Sequence, residues 1–310
     1  MLYLTEADVR RFLSMRECVE LMRGAFERLA SGAAINQPRR RLVLPTHSTL
    51  HYMAGSDGRY FGAKIYSTNP GRAPHFLFLL YRAEDGAPLA LVEANHLGQI
   101  RTGAASGLAT SLLARPGSKV LGIVGSGFQA RTQLEAMLAV LPFEDIRVWS
   151  RSAEKCAHFA QECSEAFGVT VRVATSAEAA VRDADVVVTA TGSAVPVIEA
   201  PWIRAGAHLN AMGSNQAGRR ELPADLVTRA GLIAVDNLEQ SRMESGDLLM
   251  AFEERDWDRV IELQEVVAGR AGRTSPEETT MFKSNGLAVE DVAAAGFVYE
   301  RAVEAEKGYS

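Results

Sequence analysis

Six residues near the middle of the chain, Gly125-Ser126-Gly127-Phe128-Gln129-Ala130, carry the spacing G-x-G-x-x-A. An apolar run, Lys119–Gly125, leads into them, and a helical pattern over Phe128–Val140 follows. Such a turn suits a pyrophosphate. Gly125 permits a tight bend, Gly127 lets backbone approach the phosphates, and Ala130 lets the helix lie close to the strand, with the helix N-terminus aimed at the anion. In isolation the same residues make a plain strand–helix turn; the strand before, the helix after and the further strands behind favour a dinucleotide. The tip of the next strand, Trp149-Ser150-Arg151-Ser152, has no acid for a ribose 2′-OH, and Glu144 and Asp145 precede that strand. An Arg between two hydroxyls suits a 2′-phosphate, so NADP(H) is expected over NAD(H). The alternative is that Arg151 and Ser152 only start and cap the next helix. The later strand ends, Thr189-Ala190-Thr191 and Met212-Gly213, are further candidate cofactor contacts.

Cations form a second group. Lys64 lies within an apolar strand, Gly62–Tyr66, and lysine is rarely buried without a role or partner. Arginine forks hold carboxylates, and a lysine of lowered pKa can pass a proton. The triplet Arg39-Arg40-Arg41, taken alone, reads as a solvated basic run.

The elements that must position these residues fall into two patterns. Residues 5–30 read as helices, with Thr5 able to cap and Val19, Met22, Phe26 and Leu29 at helical spacing. Extended runs follow at Arg41–Leu44, Leu50–Ala54, Gly62–Tyr66, Phe76–Tyr81 and Leu89–Glu93, separated by turn residues. Strands so close together favour antiparallel pairing in a small α+β unit. Helix returns over 99–114. Strand and helix then alternate: strands at Lys119–Gly125, Ile146–Ser150, Val171–Ala174, Asp185–Thr191, His208–Gly213 and Leu232–Asp236, helices at Phe128–Val140, Ala153–Phe167 and Ala177–Arg182. Several strands are apolar throughout, as strands covered on both faces are, which predicts a doubly wound parallel sheet of α/β class. An Ala-rich helix is expected from Val289 to Ala305.

Length and composition narrow the classes. With 310 residues, two domains are expected. The net charge of −5 argues against a general nucleic-acid binder. No apolar run is long enough to cross a bilayer, so no membrane partner is expected. Glu6 and Asp8 stand where a leader would be apolar, and three cysteines do not make a disulfide framework, so a cytoplasmic setting is expected. His47 and His51 do not share a helix face, His208 reads as structural, and no metal is expected. Protease, hydrolase and P-loop motifs are absent from the sequence.

Several segments together resemble the ornithine cyclodeaminase/mu-crystallin family: Gln99-Ile-Arg101-Thr102-Gly103-Ala104-Ala105-Ser106, the Gly-rich turn with Phe128-Gln129-Ala130, Ala207–Leu222, Glu244-Ser-Gly246-Asp247, Phe282-Lys-Ser284-Asn-Gly286, and Glu290-Asp291. The resemblance covers nearly the whole chain in the family's order. It implies a Rossmann domain, about 119–287, inserted in a smaller substrate-binding and dimerisation domain, 1–118 plus 288–310, in a cytosolic homodimer. The family's QPxR segment matches Gln37-Pro38-Arg39-Arg40, placing its substrate arginine on Arg40. Its strand lysine falls on Lys64 and its third cation on Arg101. Arg101, Thr102, Ser284 and Asn285 are implied to border the cofactor. Met243–Asp247 reads either as an approach to the cofactor domain's edge or as a helix end with a Gly turn. Glu290-Asp291 reads as a charge pair at a helix N-terminus rather than a catalytic dyad.

Three departures from the cyclodeaminase matter. Its catalytic Asp is replaced by Asn215 in Gly213-Ser214-Asn215-Gln216; an amide has neither charge nor useful basicity. Its NAD-type acid is replaced by Ser150-Arg151-Ser152, and Arg72-Ala73-Pro74-His75 stands where members carry Thr or Ser beside the cofactor. The expected activity is therefore NAD(P)H-dependent reduction of a 2-imino carboxylate to an amino or imino acid. Arg40 and Arg101 would hold the carboxylate, Lys64 would hydrogen-bond and protonate, and Asn215 would position the nitrogen or a water. The alternatives are an NAD-dependent ornithine cyclodeaminase and a crystallin-like protein that binds NADPH and a small ligand without catalysis.

Overall fold

The computed structural model describes residues 1–307. Two compact units are present: Met1–Arg101 with the segment from Gly286 onward, and Thr102–Asn285.

The first unit is built on a seven-stranded sheet. Strands Thr49–Ser56, Tyr60–Thr68, Phe76–Arg82 and Pro88–Glu93 run antiparallel in chain order. Leu2–Leu4 adds parallel to Pro88–Glu93, while Ile35–Asn36 and Arg40–Val43 both pair with Thr49–Ser56. Side chains alternate between the two faces. Met53, Lys64 and Phe78 stand directly opposite one another and share the inner face. Helix Ala288–Lys307 packs on that sheet and on helix Met15–Ala30, with Met22, Phe26, Phe78, Val292 and Val298 fully buried. The expected helical stretch at 5–30 is two helices, Glu6–Phe12 and Met15–Ala30, each opened by a capping box, at Thr5 and Ser14.

Helix Asn95–Leu113 begins four residues before the expected start. Its first N–H groups, of Asn95 and His96, donate to Glu6 at 2.7 and 2.8 Å. A cap supplied from so far along the chain leaves no local mark. The later part of this helix belongs to the second unit, where Thr110 accepts from Asn210 at 2.8 Å and Ser106 meets Met212 at 3.1 Å.

The second unit is an eight-stranded, wholly parallel sheet. Across the sheet the strands run Val171–Val173, Asp145–Trp149, Val120–Val124, Val186–Thr189, His208–Ala211, Thr280–Lys283, Leu232–Val235 and Val260–Glu262. The direction of winding reverses between Val120–Val124 and Val186–Thr189, the switch point at which such sheets bind dinucleotides. Six strands were expected. Thr280–Lys283 and Val260–Glu262 are additional, because Thr-Met-Phe-Lys and Val-Ile-Glu are too short and too polar at their ends to read as apolar runs. All four residues of Thr280–Lys283 are nevertheless buried. Helices Phe128–Val140 and Ala153–Phe167 have the expected bounds.

Candidate functional site

At the switch point Gly125 has φ +122, and a Cβ there would fall 2.4 Å from the Ala190 carbonyl. Gly125 N–H donates to Trp149 O at 2.8 Å, which pins the bend. Gly127 is the N-cap of helix Phe128–Val140 and supplies no side-chain cap. The space where its Cβ would stand is open. First-turn N–H groups without a side-chain cap, behind an open approach, fit a pyrophosphate. Ala130 is fully buried, whereas Phe128 is 58% exposed and Gln129 half-buried. Ser126 and Ser150 share a hydrogen bond of 2.8 Å. Ser152 caps the helix Ala153–Phe167 by accepting from Lys155 N–H at 3.3 Å, and the Arg151 side chain is exposed beside it.

The ends of the next two strands are tied by a residue the sequence reading did not single out. Glu221 is fully buried. It accepts from Thr189 Oγ1 at 2.8 Å, Thr191 N–H at 2.6 Å and Gly213 N–H at 2.7 Å. Burial pushes its pKa up, against the Thr191 bond and the Lys283 charge. Asp247 holds the Glu221 and Leu222 N–H groups at 2.7 and 2.9 Å and pairs with Lys283 at 3.2 Å. Ala190 and Met212, which complete the two strand ends, are buried at 7% and 9% exposure. Thr102 O accepts from Gln133 at 3.3 Å. Ser284 Oγ and Asn285 N–H both donate to Asp236, at 3.1 and 2.6 Å, and the Asn285 amide also bonds Ser241 and Ser245. Both residues thus sit in a buried polar network. Lys283, the last residue of Thr280–Lys283, is fully buried as well, but its short strand gave no apolar run to mark it.

In the first unit the structure brings together Lys64, Arg101 and Arg39, buried at 3%, 5% and 6% exposure, with two fully buried acids, Glu290 and Asp291. Asp291 Oδ1 accepts from Lys64 Nζ at 2.9 Å and Arg101 Nε at 3.1 Å. Glu290 Oε2 accepts from Arg101 Nη1 at 2.7 Å. Lys64 Nζ lies 5.2 Å from the centre of the Phe76 ring. A Cβ on Gly98 would fall 2.4 Å from that Nζ, so glycine clears its place. Burial lowers the Lys64 pKa to about 8; Asp291 opposes this, and Arg101 and Arg39 reinforce it. For Arg101, burial works against the charge and is outweighed by Asp291 and Glu290, so its pKa rises.

Arg40, by contrast, is exposed. It stands opposite Tyr52, one position out of phase with the Met53–Lys64–Phe78 row, so it points to the outer face. Arg39 is the inward residue, with Nη2 3.9 Å from Met53 Sδ. The sequence reading places the family's arginine on Arg40, but the residue the structure puts on the Lys64 face is Arg39: in a strand, a slip of one residue reverses the face. Glu290 and Asp291 do stand in the first turn of helix Ala288–Lys307, and they pair with the Lys64 and Arg101 side chains. Asn215 is half-buried in the loop after His208–Ala211. His51 stacks on Tyr66 at 4.4 Å, with its pKa lowered to about 4 by burial and then by Arg41 and Arg39. His208 is buried against Thr280 at 2.9 Å. Among the described residues no group of three His, Cys, Asp or Glu is placed to hold a metal, and no helix is long and apolar enough to cross a membrane.

A Rossmann-type sheet with a glycine turn at its switch point, carried with a separate α+β unit that buries a lysine and two arginines, defines the class of the molecule. The sequence model of the ornithine cyclodeaminase/mu-crystallin family matches residues 1–306. The chain belongs to that family. It is 34% identical to a Delta(1)-pyrroline-2-carboxylate reductase of Bacillus cereus, over 98% of this chain and 97% of that one. Among solved structures it is similar to the Thermococcus litoralis Delta(1)-pyrroline-2-carboxylate reductase in complex with NADH and L-proline, with 35% identity, TM-score 0.93 and coverage of 99% and 98%. It is also similar to an archaeal alanine dehydrogenase dimer with bound NAD, with 35% identity, TM-score 0.92 and coverage of 99% and 97%.

Proposed function

We propose that the chain is a cytoplasmic NAD(P)H-dependent reductase of small 2-imino carboxylates, either cyclic or formed from a 2-oxo acid and an amine. The observation that carries this reading is Lys64: a buried ammonium of lowered pKa that shares the Asp291 carboxylate with Arg101 and lies within reach of the Arg39 charge. The family relatives that reduce imines support it. The second unit takes the dinucleotide, with the pyrophosphate at Gly127–Ala130 and the 2′-phosphate at Ser150–Ser152; Thr189–Thr191, Met212-Gly213, Arg101-Thr102 and Ser284-Asn285 border it. Bound there, the nicotinamide supplies a hydride. Arg39 and Arg101 hold the substrate carboxylate in charge-assisted bonds. Arg101 has five N–H donors, and its bonds to Glu290 and Asp291 use two of them. Lys64 gives its proton to the imine nitrogen as the C=N π bond opens and carbon takes the hydride; Lys64 is left neutral and is reprotonated from solvent. Asn215 positions the nitrogen or a water. Its amide offers no carboxylate chemistry for ornithine.

The test is a panel of cyclic imino acids, and of 2-oxo acids with amines, followed by loss of reduced-nicotinamide absorbance with NADPH and with NADH. We expect turnover, with NADPH favoured by about tenfold or more, the worth of one charge-assisted contact. Arg151→Ala should remove that preference and leave NADH turnover in place. Ammonia release from ornithine with catalytic NAD would instead make the chain a cyclodeaminase. Tight NADPH binding with no oxidation by any compound would make it a binding protein.

The assembly proposed is a homodimer. Its support is the outer face of the antiparallel sheet, where Leu42, Leu50, Tyr52, Phe61 and Leu77 are exposed opposite the Lys64 face. Sedimentation should give twice the chain mass, and a monomer at micromolar concentration would refute it.

A further inference from the structure

Two acids, Glu290 and Asp291, are buried with the cations, and the proposed reaction gives neither a part. Their sites on the fold are not interchangeable. Asp291 Oδ1 bridges Lys64 and Arg101, whereas Glu290 takes the far side of the Arg101 guanidinium. The Asp291 Oδ2 atom is buried without a hydrogen-bond partner. This carboxylate is therefore spent on cations and not on capping backbone N–H groups, the usual use of an acid in a helix first turn.

We propose that Asp291 is the positioning residue for Lys64: its carboxylate fixes the ammonium at one point beside Arg101 and keeps it in the charged, proton-donating form. The inference rests on the reading of Lys64 given above. A lysine stem has many rotamers, and strand register fixes only its root, between Met53 and Phe78. The tip is held by the 2.9 Å bond to Asp291, by the face of Phe76 and by the clearance at Gly98. The charged groups that act on it are Asp291 from helix Ala288–Lys307, Arg101 from helix Asn95–Leu113, and Arg39 from the segment before Arg40–Val43, with Glu290 beyond Arg101. Burial, Arg101 and Arg39 all favour the neutral amine, and Asp291 opposes them. An amine with no proton to give leaves the imine nitrogen without a donor at the moment of hydride transfer.

The experiment is the pH profile of kcat/KM for imine reduction in the native protein, Asp291→Asn, Asp291→Glu and Glu290→Gln, with NADPH binding followed by fluorescence. In the native protein the rate should fall as pH rises through about 8. In Asp291→Asn that limb should move to lower pH by about one unit or more, the usual worth of an adjacent opposite charge, while NADPH binding is kept. Glu290→Gln should move it less, and Asp291→Glu should restore it in part. A limb that stays at its native position in folded Asp291→Asn overturns the proposal, whatever happens to kcat. Should Asp291→Asn fail to fold, Asp291→Glu decides: native rate and native limb overturn the proposal, and a displaced limb supports it. Normal turnover in Lys64→Met overturns the role of Lys64 itself. A dead Lys64→Met with an unmoved limb in Asp291→Asn overturns only the role of Asp291.

Discussion

Lys64→Met is expected to abolish imine reduction, with a loss of about 10²–10⁴-fold in kcat, the usual contribution of a positioned proton donor. Methionine keeps an unbranched stem of similar length in the space between Met53, Phe78 and Gly98 and removes only the ammonium. The fold should survive. The five buried side chains sum to one net positive charge with Lys64 protonated, and without it Arg101 still pairs with both acids. The variant also relieves the burial of an ammonium, the force that lowers the Lys64 pKa. NADPH titration should match the native protein, because the phosphate cradle proposed at Gly125–Ala130 is built from other residues. Single-turnover absorbance separates the two quantities. Turnover within a few-fold of native, with the cofactor bound, would remove Lys64 from the mechanism. Loss of cofactor binding together with turnover would show damage to the fold.

Legibility in the sequence followed the range of the interactions. The Gly125–Ala130 turn was legible because it is a contiguous local motif whose glycine and alanine roles are steric. Helix Ala153–Phe167 was legible because Ser152 caps its start and Gly168 ends it, and Phe128–Val140 because the glycine turn leads straight into it. Strands Val120–Val124 and Val186–Thr189 announced themselves as unbroken apolar runs. Thr280–Lys283 did not, because its burial comes from the strands on both sides and not from its own composition. Leu2–Leu4 and Ile35–Asn36 are too short to show any period. Glu221 sits in an Arg-Arg-Glu-Leu stretch that reads as solvated surface. Only the fold turns that side chain toward three donors on two strand ends. The acids at 290 and 291 were visible as a helix start, but their partners lie some 190 and 227 positions away. Lys64 was legible because a charge inside an apolar strand is anomalous wherever it occurs.

Arg39→Ala should raise KM for the imino acid by about 10- to 100-fold, the worth of one or two charge-assisted hydrogen bonds, whereas Arg40→Ala should leave it within about twofold. The two residues are adjacent, identical in chemistry and equally plausible as a string of letters. What separates them is parity. Arg40 pairs with Tyr52, and Tyr52 faces away from Lys64; the residue before it comes level with Met53, which is paired with Lys64. Arg39 is accordingly 6% exposed, and its charge reaches Lys64, where it disfavours the ammonium. Removing it should thus also raise the Lys64 pKa and carry the alkaline limb of the reductive rate upward, opposite to the shift in Asp291→Asn. Arg40→Ala offers no such effect, since its side chain lies on the outer face. Steady-state KM and the pH profile, measured on both variants, test the pair together. A reversal, with Arg40→Ala impaired and Arg39→Ala near native, would mean that a residue of the outer face reaches substrate, and the carboxylate site would have to be rebuilt around it.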